Sequence, residues 1–110
     1  MSEEIGFTCS PAPGAAIENA DQICREFLGA LQAARTDLRF VSRGPGAPAA
    51  EVRITHANSR GLGLNVTWID GAGSRTAGTP LNVSFFDRGS DAGLRRNFYT
   101  AFLTANPVPF

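Results

Sequence analysis

Between residues 52 and 85 the apolar side chains fall on every second position. Val52, Ile54 and His56 share one face of a first run, Leu62, Leu64, Val66 and Trp68 one face of a second, and Leu81, Val83 and Phe85 one face of a third. Successive strand residues point to opposite faces, whereas a helix repeats every 3.6 residues, so this period of two requires β-structure and excludes helix. A one-residue slip would turn each apolar set into water, which lets the register be read from the pattern. Ile54 is expected opposite Leu64, Val52 opposite Val66 and His56 opposite Leu62. Val66 is then expected opposite Val83, Leu64 opposite Phe85 and Trp68 opposite Leu81. The predicted product is a three-stranded antiparallel meander whose second hairpin closes through a long Gly-rich tip around Gly73-Ser-Arg-Thr76.

Helical spacing flanks these runs. Asn19 stands as an N-cap with Gln22 three positions on, followed by Ile23, Phe27, Leu28 and Leu31 with Cys24 beside them, and the pattern fades near Arg35. A second helix is predicted from an N-cap at Ser90, with Asp91 in its first turn and an apolar stripe of Leu94, Phe98, Ala101, Phe102 and Ala105. Asn106-Pro107 ends it. Residues 5–9 alternate enough for a short strand, Leu38 to Val41 is a brief strand or a packed loop, and Arg43 to Pro48 is turn chemistry expected on the surface. The chain of 110 residues fits one domain, and its 43% hydrophobic content suits a packed core. The expected fold is therefore a single α+β domain over 1–110. It comprises a short N-terminal strand, a helix, a three-stranded antiparallel meander and a helix, with both helices packed on one sheet face. Residues 1–18 are read as an N-terminal arm and 107–110 as an extended tail.

Composition narrows the chemistry. Ten acidic residues balance ten basic ones, all of them Arg. Zero net charge argues against nucleic acid, whose affinity comes from phosphate neutralisation by a basic face. The one local basic cluster, Arg95-Arg96 with Arg88, reads as a solvated helix face. Without Lys there is no Schiff-base or P-loop chemistry. The lone His56 has no adjacent nucleophile or carboxylate partner, and G-x-S-x-G, H-E-x-x-H and Walker patterns are absent. Gly61-Leu-Gly63 lacks the third glycine and the strand–helix context of a dinucleotide site. No catalytic residue, cofactor or metal is expected. No run reaches the ~18 apolar residues needed to span a bilayer.

Cys9 and Cys24 are the only cysteines. Their spacing is neither a zinc pattern nor a C-x-x-C redox motif. The favoured reading is a disulfide tying the Pro/Gly-rich arm to the first helix; the alternative is two separate buried thiols. A disulfide implies an oxidising compartment, periplasmic or secreted, with an export leader removed ahead of the acidic start Met1-Ser-Glu-Glu4; reduced thiols imply the cytoplasm.

The in/out rule leaves Glu51, Arg53, Thr55, Asn65, Thr67, Asn82 and Ser84 on an outward sheet face, with Phe86 and Ile69 at its margins. Arg53, Asn65, Thr67, Asn82, Ser84 and Phe86 are the candidate partner-binding residues, because a flat, mostly uncharged face beside an open final strand invites association. The segment Val52-Arg-Ile-Thr-His-Ala-Asn-Ser-Arg-Gly-Leu-Gly-Leu-Asn-Val-Thr-Trp68 lies between helices carrying Cys24-Arg-Glu-Phe27 and Phe98-Tyr-Thr-Ala-Phe102. In hairpin spacing and aromatic helix positions, over about half the chain, this layout resembles the curli secretion adaptor family. The resemblance implies a periplasmic protein with a helix–three-strand–helix core that oligomerises at an outer-membrane secretion channel. The cysteine pair and the Pro/Gly loop depart from that pattern, and no site residue is carried over. The expected function is non-enzymatic protein–protein binding or assembly in the bacterial envelope, with another protein or a second copy as partner. A cytoplasmic adaptor or immunity-type protein, and a small enzyme using His56, are the alternatives.

Overall fold

The apolar alternation does build a sheet, but a larger and mixed one. The computed structural model describes residues 3–15, 17, 19–42, 48–58, 60–84 and 92–110. The elements are β1 (Glu3–Pro11), α1 (Ala20–Ala34), β2 (Leu38–Ser42), β3 (Ala49–Asn58), β4 (Gly61–Ile69), β5 (Arg75–Ala77), β6 (Leu81–Ser84) and α2 (Ala92–Ala105). Among the described residues the six strands lie in the order β2-β1-β3-β4-β5, and β6 pairs with β4 beside β5. Both helices pack on one face, so the fold is α+β as the pattern requires, with five strands rather than three between the helices.

The N-terminal segment is the main correction. The short strand expected over residues 5–9 is present and longer: residues 3–11, within the segment read as an arm, form an interior strand that pairs in parallel with β2 on one side and with β3 on the other. Ile5 and Phe7 enter the core with Cys9 packed against it, extending the period-two rule. β1 and β2 are parallel neighbours, and the intervening α1 supplies the crossover that such a pair demands. β2 covers residues 3–7 of β1 while β3 covers residues 6–11. The end of β2 and the start of β3 therefore stand level on opposite sides of one strand, about 10 Å apart.

The first hairpin keeps the expected register at Val52↔Val66 and Ile54↔Leu64. Thr55 then has no partner, His56 faces Gly63 and Ala57 faces Leu62. This β-bulge inserts one residue into β3, so Ala57 takes the inward place expected of His56. The second hairpin is corrected by four residues: Val83 pairs with Leu62 and Leu81 with Leu64. An even shift preserves the faces, which is why the inward set survives although its partners change. Trp68 pairs instead with Thr76 of β5. The Gly-rich tip is a tight turn, closed by Asp70 Oδ1 accepting from the Ala72 and Ser74 amides at 2.9 and 3.0 Å, with Gly73 at φ 87°.

Helix α1 buries Ile23, Phe27 and Leu31. Asn19 does not cap it with its side chain; it adopts a left-handed conformation (φ 58°, ψ 37°), which Asn tolerates, and its carbonyl accepts from Ile23 N at 3.1 Å. Gln22 bonds Glu26 rather than closing a capping box. In α2 the buried set is Phe98, Tyr99 and Phe102, while Ala101 and Ala105 are exposed, so the expected stripe is rotated toward Tyr99. The Tyr99 ring meets Phe27 edge-on at 5.8 Å, as Phe102 does at 5.6 Å. Phe85, Ser90, Asp91 and residues 43–47 lie outside the described residues.

Three ties finish the packing. Cys9 and Cys24 form a disulfide between β1 and α1. The tail packs, with Phe110 edge-on to Trp68 at 6.0 Å. Asn106, only 4% exposed, accepts from Thr79 N at 2.6 Å and donates to Thr79 O and Phe102 O at 3.0 and 3.1 Å. Its amide thereby satisfies both backbone groups of a residue between β5 and β6 and holds that link to the end of α2.

Two outcomes are expected. The double substitution Cys9→Ser/Cys24→Ser lowers unfolding free energy by about 3 kcal/mol, from a closed loop of this length; urea titration measures it, and the unreduced parent shows no free thiol. Asn106→Leu strands the Thr79 amide and carbonyl, costing about 2 kcal/mol, read as a lower urea midpoint at unchanged slope.

Candidate functional site

The face of the sheet away from the helices is assembled from four strands. Cross-strand pairing sets Glu51 beside Thr67 and Arg53 beside Asn65, and places Asn82 and Ser84 opposite Gly63 and Gly61. Arg53, Thr55, Asn82 and Ser84 are exposed, and Glu51, Asn65 and Thr67 half-buried. Five of the six partner-binding candidates thus share one surface; Phe86 lies outside the described residues. Glu51 is ion-paired to Arg75 of β5. Ile69 is buried opposite Ala49, so it adds no exposed apolar margin.

The bulge brings a further residue to this face. A Cβ at Gly63 would collide with Thr55 Oγ1 and would lie 2.6 Å from Asn82 Oδ1 and 2.7 Å from His56 Cε1. A Cβ at Gly61 would lie 2.8 Å from the Val83 carbonyl oxygen and 3.3 Å from His56 Nε2. His56 therefore lies over a two-glycine floor beside Thr55 and Asn82. The alternation rule placed His56 inside because a bulge leaves no mark in a period-two pattern; the glycines opposite were the available signal. Asn65 Oδ1 is buried on the same face with no hydrogen-bond partner. A buried acceptor without a donor carries a desolvation penalty.

The two edges of the sheet differ. On β2, Gln32 from α1 donates to Leu38 O at 2.6 Å and accepts from Phe40 N at 3.1 Å. A side-chain amide thus occupies the hydrogen-bonding positions that another strand would take. On the opposite edge, Gly78 N donates to Val66 O, which orients the even-numbered residues of β4 toward β5 and β6. Strand residues alternate in the side to which their backbone groups point. Leu81 and Val83, opposite Leu64 and Leu62, therefore bond β4, and the N–H and C=O of Asn82 and Ser84 point outward. Among the described residues nothing pairs with them, and β6 carries no charge.

A polar cluster lies across the other layer, between the helices. Arg95 donates twice to Glu26, at 2.8 and 2.9 Å, and Tyr99 OH donates to Glu26 Oε1 at 2.6 Å. The Arg95 hydrogen bond, with Tyr99 adding to it, holds the Glu26 carboxyl below its usual range against the opposing effect of burial. Burial, then the Glu26 carboxylate, pushes the Tyr99 phenol up. Neither partner was legible as such in the sequence, since 69 and 73 positions separate them from Glu26. Among the described residues no group of three or more His, Cys, Asp or Glu side chains could hold a metal ion.

No family model matches this chain, and no curated protein does. A solved structure of an uncharacterized protein is similar over 92% of this chain and 91% of its own, at 6% identity and a TM-score of 0.45.

The depressed Glu26 carboxyl fixes a pH dependence. A carboxylate with a lowered folded pKa stabilises fully above its unfolded value, near 4.5, and loses that contribution as pH falls through the folded value. Glu26→Gln is expected to cost about 1–2 kcal/mol at pH 7, with the gap from the parent closing as denaturant titrations are repeated toward pH 3.

Proposed function

We propose that this protein is a non-enzymatic binding module that acts by protein–protein contact through its outward sheet face and β6 edge, in an oxidising compartment of the bacterial envelope. The observation that carries this reading is the asymmetry of the edges. One is closed by Gln32, and on the other the Asn82 and Ser84 backbone groups point outward from an uncharged strand, with no strand paired to them among the described residues. An extended partner segment adding to β6 would take its affinity from those main-chain groups. Its specificity would come from the adjoining Arg53, Asn65, Thr67 and His56. The Cys9–Cys24 disulfide supports an oxidising compartment. Among the described residues no helix is long and apolar enough to cross a membrane.

Site-specific photo-crosslinking in the native cell tests this. A benzoylphenylalanine at Thr67 is expected to give discrete adducts with another protein, whereas one at Asp21 on the exposed side of α1 gives none. Asn82→Pro removes an outward N–H, which an edge strand tolerates, together with the side-chain amide, whose separate contribution Asn82→Ala measures. Asn82→Pro should cut the Thr67 adduct at least about ten-fold, the loss of about 1.4 kcal/mol or more of main-chain hydrogen bonding. Equal adducts from Asp21, or an adduct unaffected by Asn82→Pro in a folded protein, would overturn the reading.

A further inference from the structure

The outer surface of the helical layer holds a second feature, independent of the sheet face. A cavity of about 690 Å³ runs along the valley between α1 and α2. The two helices run in the same direction, since Glu26 meets Arg95, Phe27 meets Tyr99 and Phe102, and Arg35 meets Val108. Small side chains line the α1 side, Gly29, Ala30, Ala33 and Ala34, and Leu103 and the Tyr99 ring contribute to the α2 side. A volume of this size suits a small organic molecule.

Three observations define what would fit. Gly29 stands in mid-helix, where glycine is the least favourable residue after proline. Nothing in the fold requires it: its φ is ordinary, and a Cβ built there meets no atom within 4 Å. The bare backbone leaves the α1 wall of the valley open at that point, so a molecule lying in it could approach closely. The hydroxyls along the valley are already committed, as Thr100 donates to Arg96 O at 3.1 Å and Thr104 to Thr100 O at 2.9 Å. Glu26 is satisfied by Arg95 and Tyr99, which leaves Arg96 as the lining charge that makes no ion pair among the described residues. The lining is thus apolar along its length, with the Arg96 guanidinium at the same end as the already paired Glu26 carboxylate. From Arg96 to Thr104 the helix rises about 12 Å.

We propose that this valley binds a single-chain amphiphile with an anionic head, its hydrocarbon lying over Gly29 and Ala33 and its head against Arg96. The volume, the open backbone at Gly29 and a guanidinium without an ion pair among the described residues point to the same ligand: an apolar body, about 12 Å long, with one negative end. Specificity for the anion resides in Arg96, and affinity grows with chain length until the valley is filled.

Calorimetric titration of the disulfide-bonded protein with hexanoate, octanoate and decanoate tests the proposal. Binding at one site is expected to tighten by about two- to four-fold per added methylene, the upper value being that of a fully buried group. Gly29→Leu fills the valley from a position with open space around it and replaces a poor helix former. It should melt no lower than the parent and bind decanoate at least about ten-fold more weakly. Arg96→Gln should weaken decanoate several-fold and leave 1-decanol unchanged, which separates head recognition from chain burial. No chain-length dependence, or full decanoate affinity in folded Gly29→Leu, overturns the site. Equal losses for decanoate and decanol in Arg96→Gln overturn the role of the guanidinium.

Discussion

The sheet depends on β1 lying between β2 and β3. Without it those strands would have no common partner, since each pairs in parallel with a different stretch of the same nine residues. Ile5 and Phe7 reach the core from that strand, and Phe7 stacks on Phe27 at 6.5 Å. Cys9, two residues further on the same face, is bonded to Cys24 of α1. The covalent link thus joins two elements that the core already brings together. β1 pairs with strands tens of positions further along the chain, contacts that are entropically demanding to close. A cross-link between that strand and the next element shortens the effective loop.

Backbone groups that no strand reaches are finished here by side chains. Gln32 supplies a carbonyl and an amide to β2, Asn106 does the same for Thr79, and Asp70 closes the β4–β5 turn on two amides. Asn and Gln carry a donor and an acceptor at the spacing of a peptide group and so can mimic one. Buried backbone groups are costly when unpaired, so these residues determine where the sheet ends and how its links are held. Among the described residues no strand is paired to the outward groups of Asn82 and Ser84.

This distribution explains what the sequence could and could not disclose. The inward faces of β3, β4 and β6 were legible because burial enforces the period of two, and even the register error on β6 conserved them. Register itself was not legible there. The turn at Asp70–Ser74 consumes residues that an open loop would have left free, and β5 is too short and too exposed for any pattern to mark. β1 escaped notice beyond Cys9 because Ser10-Pro11 reads as a break, although a proline at a strand's end is harmless. The bulge at Thr55 was silent, so His56 was assigned inward. The outward candidates Arg53, Asn65, Thr67, Asn82 and Ser84 followed from the alternation. Glu26, Arg95 and Tyr99 did not, because contacts between two helices at such separation depend on how the helices are turned about their axes. Tyr99 sits one position beyond the expected stripe because its hydroxyl is drawn to Glu26.

The same connectivity accounts for the difference between the edges. α1 leads into β2 through a three-residue turn in which Arg35 chelates Asp37 at 2.9 and 2.8 Å, so a side chain from its last turn is already within reach of the new strand. Gln32 occupies that place. At the far side α2 follows β6 after seven intervening residues, and its end is fastened to Thr79, on the link before β6, not to β6 itself. A helix anchored there covers the inward side chains Leu81 and Val83 only in part and leaves the outward backbone groups untouched. Gln32 thus blocks strand addition at β2, while among the described residues no strand is paired to the outward groups of β6.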